Sequence, residues 1–299
     1  DQEKLYENYW LYIEKTLHNK MDYSNLDAFF MQYIVYKTSK PVNSRQLYNS
    51  FVKLFKDSGY SQESILKELR YYAEIFGAFV YGSAKYSERI NRLLYRLRVL
   101  NQTTCYPFLL HVFDDYHQGV IDEETVEKIL QFILAYLLRR MVCGVPSNTL
   151  RGLFTYLYNR IFKVASNKQK YYETLNKFLF TVSSKDVIPS AGEFERALQK
   201  ANIYGNNALC RFLLLDIENG DGKEILQAEN LTIEHIMPQT LSADWSHIRP
   251  EEHEEYHHTL GNLAVTGYNS ELSNKSFAEK QDIIRENSKA VILNSDVLD

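Results

Sequence analysis

The sequence predicts a mainly α protein: an all-helical domain over residues 1–222, then a small α+β domain over residues 223–299. Three observations carry that expectation. Apolar residues recur at three- and four-residue steps through the first three quarters of the chain. The composition changes after Glu218-Asn219-Gly220-Asp221-Gly222, where asparagines and histidines become frequent. Beyond that point the pattern reads strand, long loop, strand, helix.

Periodic segments run over about 2–18, 24–39, 44–57, 61–80, 86–100, 106–117, 122–141, 149–163, 168–182, 191–201 and 206–218. The pattern is plainest at 122–141, where Val126, Ile129, Leu130, Ile133, Leu134, Leu137, Leu138 and Met141 form one stripe. Asp122, Glu123 and Glu124 load its first turn with negative charge and Arg139 and Arg140 load its last, both complementing the helix dipole. Gly144 and Pro146 then stop it. The 23 tyrosines fall mostly at helical spacings beside Leu and Phe, which predicts packing rather than a base-stacking surface.

The segment from Asp216 to Gln227 superficially resembles a calcium loop, but its register fails. Gly220 stands where a ligand is needed and Gln227 replaces the closing Glu, so it reads as a linker. After it, Leu231-Thr232-Ile233 predicts a strand that delivers Glu234 and His235 and breaks at Pro238. Neighbours on a strand face opposite ways, so convergence of Glu234 and His235 requires the chain to turn soon after them. Leu263-Ala264-Val265, opened by Asn262, predicts a strand pairing back on the first, and Asn269 follows at a turn. Ser276 and Glu279 have capping-box spacing for a last helix that buries Ile283 and Ile284.

Composition bounds the function. A formal net charge of −4 gives no overall nucleic-acid footprint, so any such contact is local. No run of about 18 apolar residues predicts a membrane span. Cys105, Cys143 and Cys210 are scattered and odd in number, which predicts a reducing compartment and no cysteine zinc site. The first residues lack both an initiator Met and a signal pattern, which predicts an excised piece of a longer chain.

Ile233-Glu234-His235-Ile236-Met237-Pro238-Gln239, Leu260-Gly261-Asn262-Leu263 and Asn269-Ser270-Glu271-Leu272-Ser273-Asn274 with Phe277 and Lys280 occur in this order. Together they resemble the HNH endonuclease domain, of the ββα-metal kind, at the C-terminus of GmrSD-type modification-dependent restriction enzymes. The helical region is similar too, in Tyr9-Trp10 and in Leu138-Arg139-Arg140-Met141-Val142-Cys143-Gly144 followed by Asn148. The family's N-terminal ParB-like, nucleotide-hydrolysing domain has no counterpart here, and its phosphate-binding motif is absent.

The resemblance implies a metal-dependent endonuclease that cuts modified foreign (phage) DNA in a bacterial cytoplasm, an antiviral restriction activity. Its implied partners are DNA and the missing nucleotide-hydrolysing domain. His235 suits the general base, since an imidazole titrates near neutrality. One divalent cation, Mg²⁺ or Mn²⁺, would take oxygen ligands from Glu234 and from Asn269, which matches the family's ligand position. His258 or a water could complete the shell. Asn262 matches the asparagine that pins the loop and orients the base. Lys275 and Lys280, near the start of the last helix, are the expected phosphate contacts. Singly, each has a plainer reading: a surface Glu-His pair, turn asparagines, a solvated lysine face. A zinc site on His253 and His257, four residues apart, competes with an exposed acidic helix started by Pro250, with His247 and His258 nearby. The rival reading of the whole is a helical nucleic-acid or protein interaction module with an inactive HNH-like domain. RNA in place of DNA also fits the residues.

Overall fold

The computed structural model describes residues 2–18, 24–56, 58–182, 185–220, 232–267 and 269–287, with backbone only at Ser24, Asn269 and Ser270. The fold is mainly α with one two-stranded sheet near the C-terminus, as expected. By compactness the chain forms two units. The first holds residues 1–98, 102–137 and 146–188, and the second holds 99–101, 138–145 and 189–299. The boundary expected at residue 222 lies outside the described residues.

The helices begin and end where local chemistry dictates. In the first unit, Ser61 caps Gln62–Tyr81 by accepting from the Ser64 amide at 3.2 Å, and Gly82 ends it at φ +80°, a left-handed conformation open to glycine. That helix buries Leu69, Tyr72 and Ala73 on one face and then every residue from Ile75 to Phe79, so that last stretch is enclosed on all sides. Asp122 accepts from the Thr125 amide at 2.9 Å and so starts Glu123–Val142. Within this unit the Tyr33 hydroxyl donates to the Glu68 carboxylate at 2.7 Å, and those of Tyr158 and Tyr171 donate to buried Asp115 at 2.8 and 3.1 Å. Tyr33, Tyr72, Tyr106, Tyr136 and Tyr171 are core residues, in line with the packing role expected of them.

In the second unit, Ala191–Lys200 starts at a Ser190–Glu193 capping box, and Asn206 caps Asn207–Asn219. The sheet pairs β1, Thr232–His235, antiparallel to β2, Leu263–Thr266, with Glu234 opposite Ala264 and His235 opposite Leu263. Asn207–Asn219 packs on β2, whose four residues are all buried. The connection between the strands carries the short helix Pro250–Tyr256, begun by its proline as expected. Asn269 opens a short helix, Asn269–Leu272, rather than a turn, and this helix packs against β1. The last helix, Phe277–Asn287, starts at the expected capping box: Ser276 Oγ accepts from the Glu279 amide at 3.3 Å, and Glu279 accepts from the Ser276 amide at 2.9 Å. Ile284 and Lys280 are its buried residues, while Ile283 is half-buried.

Ile284 is fully buried, so Ile284→Ala is expected to destabilise the second unit by about 2–5 kcal/mol, read as a lowered urea midpoint. Ile283→Ala, at a half-buried position, is expected to cost clearly less.

Candidate active site

The end of β1 is held by one asparagine side chain. The Ile236 amide donates to the Asn262 carbonyl at 3.0 Å, continuing the ladder one step. The Asn262 amide group then takes both backbone polar atoms of Met237. Its Oδ1 accepts from the Met237 nitrogen at 2.7 Å, and its Nδ2 donates to the Met237 oxygen at 2.9 Å. The same Nδ2 donates to the His257 carbonyl, also at 2.9 Å. Buried at 8 % exposure, Asn262 thus satisfies backbone groups that no strand partner could reach once the chain turns toward Pro238. Pro238 itself offers its carbonyl to His253 Nε2 at 2.9 Å.

That turn fixes His235 in a histidine and tyrosine cluster. His235 is 5 % exposed, with Nε2 at 3.1 Å from His258 Nδ1 and Nδ1 at 3.4 Å from the Gln239 amide nitrogen. The Tyr204 ring meets His235 edge-on at 4.4 Å and stacks on His258 at 5.0 Å. The amides of Ile203 and Tyr204 donate to the His258 carbonyl, so this loop also places the His258 backbone. With the Gln239 amide donating to Nδ1, His235 carries its proton on Nε2 and donates to His258. Burial holds the His235 pKa down at about 4, and His258, His257, Lys280 and His253 push the same way. The His258 pKa is also lowered, by burial and by His257. His235 is therefore neutral at pH 7.

Glu234 does not join that cluster. Its carboxylate is 5 % exposed and pairs at 2.6 Å with Lys280 Nζ, a fully buried ammonium that also donates to the His235 carbonyl at 2.7 Å. Burial pushes the Glu234 carboxyl up, against the pull of Lys280. Two expectations are corrected here. Glu234 and His235 side chains have separate partners, because β1 keeps its alternation through His235 before the chain turns. Lys280 faces no solvent from which a phosphate could approach, because the helix presents it to the strand.

The other expected residues stand as follows. Asn269 has its backbone in Asn269–Leu272, and its side chain lies outside the described residues. Lys275 is exposed, and its carbonyl accepts from the Trp245 indole at 3.0 Å. His253 and His257 each put one ring nitrogen on a backbone carbonyl, that of Pro238 for one and of His253 for the other, and their rings stack at 4.6 Å. Among the described residues no group of three or more His, Cys, Asp or Glu is placed to hold a metal. A cleft of about 1170 Å³ lies beside the clamp, lined by Met237, Trp245, Ile248, Tyr256, Leu260 and Asn262 among others. Tyr204 escaped sequence reasoning because no motif marks it, and Gln239 stood inside a motif without a role.

Residues 188–297 match the family model described as GmrSD restriction endonucleases, C-terminal domain, over somewhat more than a third of the chain. The matched residues include every residue of the site. No curated protein matches the chain. Among the described residues no helix is long and apolar enough to cross a membrane.

Asn262→Ala removes the partners of three part-buried backbone atoms, the Met237 nitrogen and oxygen and the His257 oxygen, and is expected to cost about 3 kcal/mol in urea unfolding. Asn262→Asp is expected to recover little, since a carboxylate oxygen would then face the Met237 and His257 carbonyls.

Proposed function

We propose that the GmrSD-type C-terminal domain of this chain hydrolyses DNA phosphodiester bonds, with His235 as the general base. The observation that carries the reading is a neutral, buried His235 at the end of β1, fixed by Asn262 and His258, inside a region matching a restriction endonuclease family. The Gln239 contact on Nδ1 is long, so a water replacing it would meet an unprotonated nitrogen. The proton passes from water to Nδ1 as the water oxygen bonds to phosphorus and the P–O3′ bond breaks, the departing 3′ oxygen taking a proton from solvent water. His258 accepts from the opposite nitrogen and steadies the imidazolium. A bound phosphate raises the His235 pKa toward the working pH through its negative charge, the reverse of what Lys280 does. Asn262 keeps the loop from drifting, so the ring stays aimed. Lys275, exposed before the last helix, is the remaining candidate for contact with the nucleic-acid backbone.

Mg²⁺ or Mn²⁺, the cation the resemblance implies, receives no step. The carboxylate expected to hold it is already paired with Lys280, so the described residues do not fit a metal bound by Glu234. Restriction of modified phage DNA in the cytoplasm, together with a nucleotide-hydrolysing ParB-like domain, is the biological setting this reading assigns. The occupied Glu234 favours a second reading, a nucleic-acid or protein interaction module whose HNH-like domain is inactive.

Plasmid nicking in Mg²⁺ or Mn²⁺ separates the two. His235→Ala is expected to lose about 100-fold or more in rate, and an unchanged rate would contradict the base assignment. DNA binding without nicking by the parent would establish the second reading. For an active parent, kcat/KM is expected to fall as pH drops through about 4, not near 6.5, because the base works unprotonated.

A further inference from the structure

Lys280 Nζ sits on one carboxylate oxygen and one backbone carbonyl oxygen, at 2.6 Å from Glu234 Oε1 and 2.7 Å from the His235 oxygen. That donor pair, a carboxylate and a carbonyl, is the kind of oxygen set a hard divalent ion takes. Here a cation of the chain itself occupies it. The ammonium has no exposed surface, and its helix is fixed at one end by the Ser276–Glu279 capping box and below by Ile284. For a metal to reach Glu234, Lys280 would have to leave a closed site and take its own charge into water. Both ions could not stay, since like charges at such range repel strongly at low dielectric. We propose that Lys280 is the resident cation of Glu234, so that no divalent ion is bound by this carboxylate. Lys280 is accordingly a positioning residue: it ties the last helix to β1 and holds the backbone of His235 through its carbonyl. This inference does not depend on DNA cleavage.

The test is Mn²⁺ binding by the full chain, followed through the paramagnetic resonance signal of the free ion, together with urea unfolding. Glu234→Gln is expected to bind Mn²⁺ as the parent does, within about two-fold, or neither binds it measurably. A loss of about ten-fold or more in Glu234→Gln would overturn the proposal. Lys280→Met leaves a buried carboxylate uncompensated and is expected to lower the urea midpoint sharply or prevent folding. The double variant E234Q/K280M removes both charges and is expected to fold and regain at least about half of that loss. A double variant no more stable than Lys280→Met alone would overturn the pairing.

Discussion

A lysine ammonium shut off from water is the constraint around which the second unit is arranged. Removing such a charge from solvent costs several kcal/mol, and the cost is met only where close, well-aimed oxygens replace the lost water. Glu234 and the His235 carbonyl supply two of them. Because one comes from a side chain and the other from the backbone of the next residue, Lys280 fixes both the position and the direction of β1's end. The helix Phe277–Asn287 cannot slide along the sheet without breaking both bonds.

The histidine cluster follows from the same geometry. With Glu234 committed to the helix, strand alternation sends His235 toward His258 and Tyr204. There it is buried among other imidazoles and near a fixed positive charge, and every one of those neighbours disfavours a second proton. Asn262 completes the arrangement from the other strand, replacing strand pairing with side-chain hydrogen bonds at the point where Pro238 ends the ladder. Strand, clamp and buried ammonium together leave the imidazole little freedom, as the general-base role proposed for it requires.

Much of this was readable in the residues, and the reason is local. Helix periodicity, the Ser276–Glu279 box, the Pro250 start and the Gly144 stop depend on neighbours within about four positions. The two strands were readable for a similar reason, as short apolar runs bounded by a proline and an asparagine. What could not be read was which distant side chain each polar group would meet. Lys280 has the composition of a solvated helix face, and only the seating of the helix on β1 turns it inward. Tyr204 lies in a polar loop between two helices and reaches His235 through the fold alone. The alternation rule did warn that Glu234 and His235 would part, and the turn at Pro238 comes too late to reunite them.

The most direct test is anomalous diffraction from crystals of the full chain grown with excess Mn²⁺. The account predicts an ammonium still seated between Glu234 and the His235 carbonyl, with no manganese peak within bonding distance of that carboxylate. A manganese ion on Glu234, with Lys280 swung away, would contradict it.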